Sequence, residues 1–182
     1  MIKKLILLFT TILITFFLSS SQEIKLNEEH NYFEITNKSL TEFSFVNNFS
    51  DLDTKLIKTK EGDFIKFFVD GYSTNSDYGK AELPELKKLF RIPSGADVVL
   101  KIVNKEEQHI SLSDYGITLP IFPNQPSISK GDNAEDVPFI YDRDFYQINQ
   151  FNENPIVRID VLGKMRGQEM ARLNLSPFEI EG

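Results

Sequence analysis

Apolar and polar residues alternate in short runs along most of this chain, and Gly, Pro, Asn and Asp separate the runs. Apolar positions that recur every three or four residues, as on one face of a helix, are scarce. The alternation is clearest in residues 97–105, where Val98, Leu100 and Ile102 fall on one face of an extended backbone. The pattern therefore predicts an all-β domain.

Other runs of the same kind predict further short strands, at residues 32–36, 40–45, 55–58, 64–69, 88–92, 109–112, 138–141, 155–162 and 170–175. Short strands at this spacing favour a β-sandwich or a jelly-roll-like barrel. Residues 80–89 space their leucines three apart, but Pro84 lies among them and favours extended backbone before it. Residues 119–138, rich in proline, are predicted to form a long irregular excursion, and such loops are usually functional or disordered.

The first residues have the pattern of a secretory signal peptide. Lys3 and Lys4 precede an uncharged apolar run over residues 5–18, and three serines follow it. The run is shorter than a membrane-spanning helix requires. We therefore expect residues 1–21 to be a cleaved signal peptide, with the exported domain, residues 22–182, starting at Gln22 or Ser21. The expected location is secreted (periplasm, outer surface or extracellular), with no integral membrane segment after cleavage.

Charge and cysteine content narrow the function further. The formal net charge of −7 argues against nucleic acid or an anionic membrane as a partner, because both attract clustered Lys and Arg. The chain has no cysteine, so it has neither a thiol nucleophile nor a disulfide framework. The exported residues are numerous enough for one domain with its own core.

Candidate catalytic and metal-binding residues are few. His30 and His109 are the only histidines, and no Gly-x-Ser-x-Gly motif surrounds a serine. The pairs Asp51/Asp53 and Asp142/Asp144 are interpreted as surface carboxylates rather than a glycosidase pair. The acidic stretch 132–136 lacks the full calcium-loop pattern. We therefore predict no catalytic residues, no metal and no cofactor.

Three stretches resemble the N-terminal propeptide of gingipain-type cysteine peptidases. They are residues 71–96, the proline-rich residues 120–139, and residues 162–178, and together they span 71–178. Residues 23–70 carry none of these motifs. The motif positions, interpreted as structural, are Gly79, Leu83, Pro84, Pro93, Gly95, Gly163, Arg166, Gly167, Arg172 and Pro177.

The local physics of these positions predicts two features. Pro84 and Pro93 should lie at the two ends of the strand over 88–92, because proline cannot donate a ladder hydrogen bond. Gly163 and Gly167 should flank the turn of a hairpin between the strands over 155–162 and 170–175.

The resemblance implies a pro-domain that inhibits and helps to fold its own peptidase, with the catalytic domain of a gingipain-type cysteine peptidase as partner. It also implies that Lys130, flanked by Ser129 and Gly131, enters the specificity pocket from an inhibitory loop. Family members run on beyond the equivalent of Gly182, so the β-domain is expected to be truncated at its C-terminal end. The alternatives are a stand-alone cell-surface interaction or adhesion module with the same sandwich, and an enzyme in its own right.

Overall fold

A computed structural model of the chain describes residues 21–39, 41–131, 133, 136–147 and 155–180. Almost all regular structure in these residues is β-strand, which confirms the all-β prediction. The strands are β1 (Gln22–Lys25), β2 (Tyr32–Lys38), β3 (Phe43–Asn48), β4 (Asp51–Thr59), β5 (Gly62–Phe68), β6 (Ser73–Thr74), β7 (Pro84–Ile92), β8 (Val157–Met165) and β9 (Gln168–Leu175). Two single-turn 3-10 helices span Leu112–Tyr115 and Phe145–Gln147.

The strands form three antiparallel sheets: a three-stranded sheet in the order β1-β4-β5, the two-stranded hairpin β2-β3, and a four-stranded sheet in the order β6-β7-β9-β8. Within the described ranges no sheet closes on itself, so the jelly-roll-like barrel is not found. The sandwich stays a prediction. The two-stranded hairpin packs on the four-stranded sheet, since Phe43 meets Phe90 edge to face at 4.8 Å between ring centroids.

The predicted hairpin between the last two strands is confirmed. Met165 pairs with Gln168, which leaves Arg166 and Gly167 as a two-residue turn. Both have positive φ (50° and 78°), as a type I′ turn requires. Gly163 lies elsewhere than predicted: it sits where the register of β8 shifts, in a bulge, and not beside the turn.

The predicted placement of two prolines is also confirmed. Pro84 is the first residue of β7, and Pro93 follows its last residue, Ile92. The strand begins before the predicted residue 88, and residues 80–89 contain no helix. Pro84 is tolerated there because the first residue of a strand has the least need of a ladder donor.

The prediction of strands at 97–105, 109–112 and 138–141 is wrong. Residues 97–109 are all exposed except the half-buried Val98, and within the described chain residues 97–108 make no backbone–backbone hydrogen bond. Val99 and Val103 are each 87% exposed. We call residues 97–109 the exposed arm. Alternation of apolar residues suits a strand, but a strand also needs a partner edge, and none of the described strands pairs with the arm.

The main core lies between the three-stranded sheet and the chain that follows it. Its buried apolar residues are Ile24, Leu52, Phe67, Val69, Ala81, Ile117 and Ile121. Ile24 is fully buried although it belongs to β1, a four-residue strand that the pattern did not predict. Most of the expected signal peptide, residues 1–20, lies outside the described residues. In the described part of the chain, no helix is long and apolar enough to cross a membrane.

Candidate functional site

The proline-rich excursion contains a surface loop. The chain that leads into it, residues 120–126, is its outgoing arm and is fixed to the core, and the chain that leads out, residues 137–142, is its returning arm. Ile65 of β5 donates its amide to the Pro120 carbonyl (2.9 Å) and accepts from the Phe122 amide (2.7 Å). The Glu82 amide donates to the Phe122 carbonyl at 2.8 Å. These bonds hold residues 120–122 between β5 and the segment before β7. The beginning of the excursion is therefore ordered by backbone pairing, although it forms no regular strand.

Beyond this point the chain forms what we call the Lys130 loop, residues 126–139, of which 126–131, 133 and 136–139 are described. We call the base of this loop, where residues 124–125 and 140–142 come together, its neck. The side chain of Gln125 closes it. The Gln125 amide nitrogen donates to the Ile140 carbonyl at 2.7 Å, and its amide oxygen accepts from the Ile140 amide at 2.9 Å. One side chain thus imitates the paired hydrogen bonds that two facing strand residues exchange.

Gly79 closes the neck a second time with its backbone. Its amide donates to the Asn124 carbonyl at 2.8 Å, and its carbonyl accepts from the Asp142 amide at 3.0 Å. Gly79 has φ +82°, and a β-carbon there would lie 2.9 Å from Ile140 Cγ2. A glycine is therefore required both for the backbone conformation and for the close approach of the returning chain.

Aromatic rings pack under both arms of the loop. Phe122 of the outgoing arm and Phe139 of the returning arm lie 6.1 Å apart between centroids, and both contact the buried Phe64. Tyr141 stacks on Tyr146 at 4.6 Å. The Tyr146 hydroxyl donates to the Ile121 carbonyl at 2.7 Å, and burial raises the pKa of this phenol. The neck is therefore anchored by packing as well as by hydrogen bonds.

The tip of the loop faces solvent. Ser127 through Gly131 are all exposed, and Lys130 and Gly131 form a turn. Lys130 is the only Lys or Arg between Lys105 and Arg143. The structure thus presents Ser129, Lys130 and Gly131 together in the exposed part of a loop whose base is held by hydrogen bonds. This arrangement fits a side chain offered to a pocket on another surface.

The other motif positions lie in the scaffold. Leu83 packs against the core, and its amide donates to Asn75 Oδ1. Gly95 has φ +74°, and its amide donates to Glu169 Oε2 at 2.9 Å. Arg172 donates to Asp160 at 3.0 Å across β8 and β9. Pro177 is half-buried just after β9. Among the motif positions, only Gly79 contacts the neck of the Lys130 loop. The spacing of Gly79 and Lys130 in the sequence does not predict this contact.

Two of the candidate catalytic residues make contacts that belong to the scaffold. Asn48 donates to the backbone carbonyl of His30, and the Asp142 side chain accepts from the amide of Phe145, the first residue of the short helix. Among the described residues, no three His, Asp or Glu side chains are grouped so that they could hold a metal ion. The predicted acidic stretch 132–136 falls mostly outside the described residues.

Comparison with known proteins extends the resemblance over the whole chain. The family model Propeptide_C25 matches residues 7–181, which include the N-terminal part without recognisable motifs. Lys-gingipain of Porphyromonas gingivalis is 31% identical over 179 residues, which is 98% of this chain. Lys-gingipain HG66 from the same species is 30% identical over the same length. The chain spans only 10% of the length of these relatives.

Solved structures agree with this result. A structure described for the zymogenic latency of gingipain K from P. gingivalis superposes with a TM-score of 0.83 at 31% identity, over 89% of this chain and 88% of the other. The complex of the pro- and mature domains of P. gingivalis RgpB has a TM-score of 0.62 at 15% identity, over 82% and 75% of the two chains, and so shares the fold. The predicted resemblance is confirmed: the chain belongs to the Propeptide_C25 family and is a gingipain-type propeptide, not a catalytic domain.

Proposed function

We propose that this chain is the pro-domain of a secreted gingipain-type cysteine peptidase, that it helps the peptidase to fold, and that it inhibits it by inserting Lys130 into the specificity pocket. The observation that carries the proposal is the exposed lysine at the tip of a loop whose neck is closed by Gln125 and Gly79. The Propeptide_C25 match supports the role of a pro-domain.

Two physical arguments favour insertion of this loop. A lysine ammonium is a compact positive charge, and its charge-assisted hydrogen bond to a carboxylate is about twice as strong as a hydrogen bond between neutral groups. The fixed neck also leaves the loop less conformational entropy to lose on binding. A loop held in this way binds as a substrate segment does, but with part of its ordering already complete.

The relatives indicate which peptidase to test. Their names, Lys-gingipain and gingipain K, associate them with lysine, and the chain matches them at 30–31% identity. We propose that the cognate peptidase prefers lysine, so that Lys130 occupies the pocket that takes the substrate's lysine. An acidic residue in that pocket is the expected partner.

Export belongs to the same proposal. Strand β1 begins at Gln22, and Ile24, two residues later, is fully buried in the core. A cut before Ser21 or before Gln22 would therefore leave β1 and its buried Ile24 in the exported chain. N-terminal sequencing of the exported protein should find Gln22 or Ser21 first, and an intact Met1 would contradict the cleaved signal peptide.

The second candidate function is a stand-alone surface interaction module. The exposed arm favours it, because Val99 and Val103 present apolar side chains to solvent on backbone that pairs with none of the described strands. A surface of this kind suits pairing with an edge strand of another protein. This candidate requires no peptidase, so the inhibition experiment separates the two.

The experiment measures inhibition of a lysine-specific gingipain-type peptidase by residues 22–182 and by three variants. Lys130→Ala should weaken inhibition by about 30-fold or more, the effect of removing one partner of a desolvated ion pair. Lys130→Arg should inhibit less strongly than the parent protein and more strongly than Lys130→Ala, because arginine keeps the charge but not the shape of lysine. Lys58→Ala removes an exposed lysine of β4 and serves as the matched control.

Two outcomes would contradict different parts of the proposal. Equal inhibition by the parent protein and Lys130→Ala would show that Lys130 is not the anchor. No inhibition by the parent protein at micromolar concentration would contradict the inhibitory role itself and favour the interaction module.

A further inference from the structure

In the described part of the Lys130 loop, one side chain makes the direct hydrogen bonds between the two arms, whose aromatic rings also pack together. Among the described residues, no backbone–backbone hydrogen bond joins residues 120–126 to residues 137–142. The direct polar link is the pair of hydrogen bonds between the Gln125 amide and the backbone of Ile140. Gly79 adds an indirect link, because it bonds to one arm with its amide and to the other with its carbonyl.

The Gln125 amide is held in one orientation. Its NH2 group is also within hydrogen-bond distance of the carbonyls of Pro123 (3.1 Å) and Asn124 (3.3 Å), both in its own arm. The nitrogen is thus surrounded by three carbonyl oxygens, and the oxygen faces the Ile140 amide, so exchanging the two atoms would break every one of these bonds. Gln125 is a half-buried, oriented clamp between the arms.

A loop that presents lysine to a lysine-specific peptidase risks being cut. The peptidase thiolate would attack the Lys130 carbonyl carbon, and the bond to the Gly131 nitrogen would break as that nitrogen takes up a proton and leaves as an amine. Water would then hydrolyse the thioester to a Lys130 carboxylate and regenerate the thiol. If the neck holds both arms, the Gly131 amine stays beside the thioester and can attack it first, which re-forms the peptide bond and releases the thiolate.

We propose that Gln125 is a positioning residue that keeps the Lys130 loop an inhibitor rather than a substrate, an inference that rests on the proposed insertion of Lys130. Gln125 itself stays outside the peptidase pocket. It acts through the neck: it limits opening of the loop, and it keeps the two new ends together if the bond is cut. Without it, the loop would still bind through Lys130 but would be consumed.

The test follows cleavage of the Lys130–Gly131 bond by mass spectrometry in the parent protein, Gln125→Ala and Gln125→Glu. The glutamate variant has nearly the same shape and keeps an acceptor for the Ile140 amide, but it cannot donate to the Ile140 carbonyl. Gln168→Ala, at an exposed glutamine of β9, is the matched control. Thermal unfolding and far-UV circular dichroism establish that each variant is folded.

With a lysine-specific gingipain-type peptidase, the Gln125 variants should inhibit at first and then lose inhibition as the bond is cut, at least about tenfold faster than in the parent, as expected for the loss of ordinary hydrogen bonds. Gln168→Ala should behave as the parent does. The inference is overturned if folded Gln125→Ala and Gln125→Glu are cut at Lys130 no faster than the parent.

Trypsin provides a second measurement that does not depend on the proposed function. It cuts after lysine wherever backbone opens locally. Faster cutting at Lys130 in both Gln125 variants supports the clamp even if the parent does not inhibit the gingipain-type peptidase, a result that would contradict the proposed function alone. Equal trypsin cutting in parent and variants contradicts the clamp, whatever the parent inhibits.

Discussion

Gly79 lies so close to Ile140 that a β-carbon on Gly79 would sit 2.9 Å from Ile140 Cγ2. Gly71 has nearly the same φ (+75° against +82°) but has nothing within 4 Å of an added β-carbon. The two glycines therefore separate the effect of backbone strain from the effect of a close contact.

We expect Gly71→Ala to lower the free energy of unfolding by about 1–2 kcal/mol, the strain of a left-handed residue with a β-carbon. Gly79→Ala should lose about 1–3 kcal/mol more, because Ile140 must move as well. Urea denaturation measures both values. Equal losses in the two variants would show that the contact with Ile140 is relaxed without strain.

Tyr146 connects the returning chain to the core through its hydroxyl. Tyr146→Phe keeps the ring stack with Tyr141 but leaves the Ile121 carbonyl without this donor. The expected loss is about 1 kcal/mol in the free energy of unfolding, typical of one hydrogen bond. Tyr141→Phe keeps the stack and the Tyr146 hydrogen bond, so it should lose less. A larger loss in Tyr141→Phe than in Tyr146→Phe would show that the Tyr141 hydroxyl contributes more to stability than the Tyr146 hydroxyl.

Asp160 of β8 gives the domain a pH-dependent component of stability. The hydrogen bond from Arg172, with further contributions from Asn174 and Arg158, lowers the pKa of Asp160 in the folded protein. Because the pKa is lower in the folded than in the unfolded state, the carboxylate stabilises the fold above the unfolded value of about 3.9. This stabilisation is lost as the pH falls through the folded-state pKa.

Asp160→Asn should therefore be less stable than the parent by about 1 kcal/mol at pH 7, and the difference should shrink as the pH falls below about 4. Denaturation at a series of pH values measures the difference. Asp63→Asn, at an exposed residue of β5, is the control. A difference that stays constant down to pH 3 would mean that ionisation of Asp160 is not the source.

The exposed arm should be the first place where trypsin cuts the folded domain. Lys101 and Lys105 lie in exposed backbone that has no backbone–backbone hydrogen bond to the described residues, whereas Lys66 and Lys87 lie in paired strands. Proteases prefer extended, unpaired segments of this kind. Mass spectrometry of an early time point identifies the bond, and Lys101→Gln with Lys105→Gln should prolong the life of the intact chain. Initial cutting inside β5 or β7 would contradict the structure.

The hairpin of β8 and β9 could be predicted from the sequence because its determinants are local. Arg166 and Gly167 form the turn, and alternating residues on either side form the strands. The prediction of a strand in the exposed arm was wrong for the opposite reason. Val98, Leu100 and Ile102 have the alternation of a strand, yet pairing depends on an available edge elsewhere in the fold, which a local pattern does not contain.

In the candidate site, too, locally determined features could be predicted and contacts between distant residues could not. Lys130 could be singled out because it is an isolated basic residue in a proline-rich stretch and because of the family resemblance. Gln125 could not, since its importance lies in two hydrogen bonds to Ile140, fifteen positions away, and no sequence pattern marks such a bond. β1 was missed because four residues are too few for alternation to stand out.

The pairing of β7 with β9 sets an order for folding during synthesis. Leu86 pairs with Leu175, so the four-stranded sheet cannot form until almost the whole domain has been synthesised. Bringing together two strands that are so far apart in the sequence also slows the formation of the sheet. The hairpin of β4 and β5 and the neck of the Lys130 loop, including the ring stack and hydrogen bond of Tyr146, need only residues up to Tyr146. The loop can thus be assembled before the last strands exist, and any polypeptide that emerges after β9 meets a loop that is already in place.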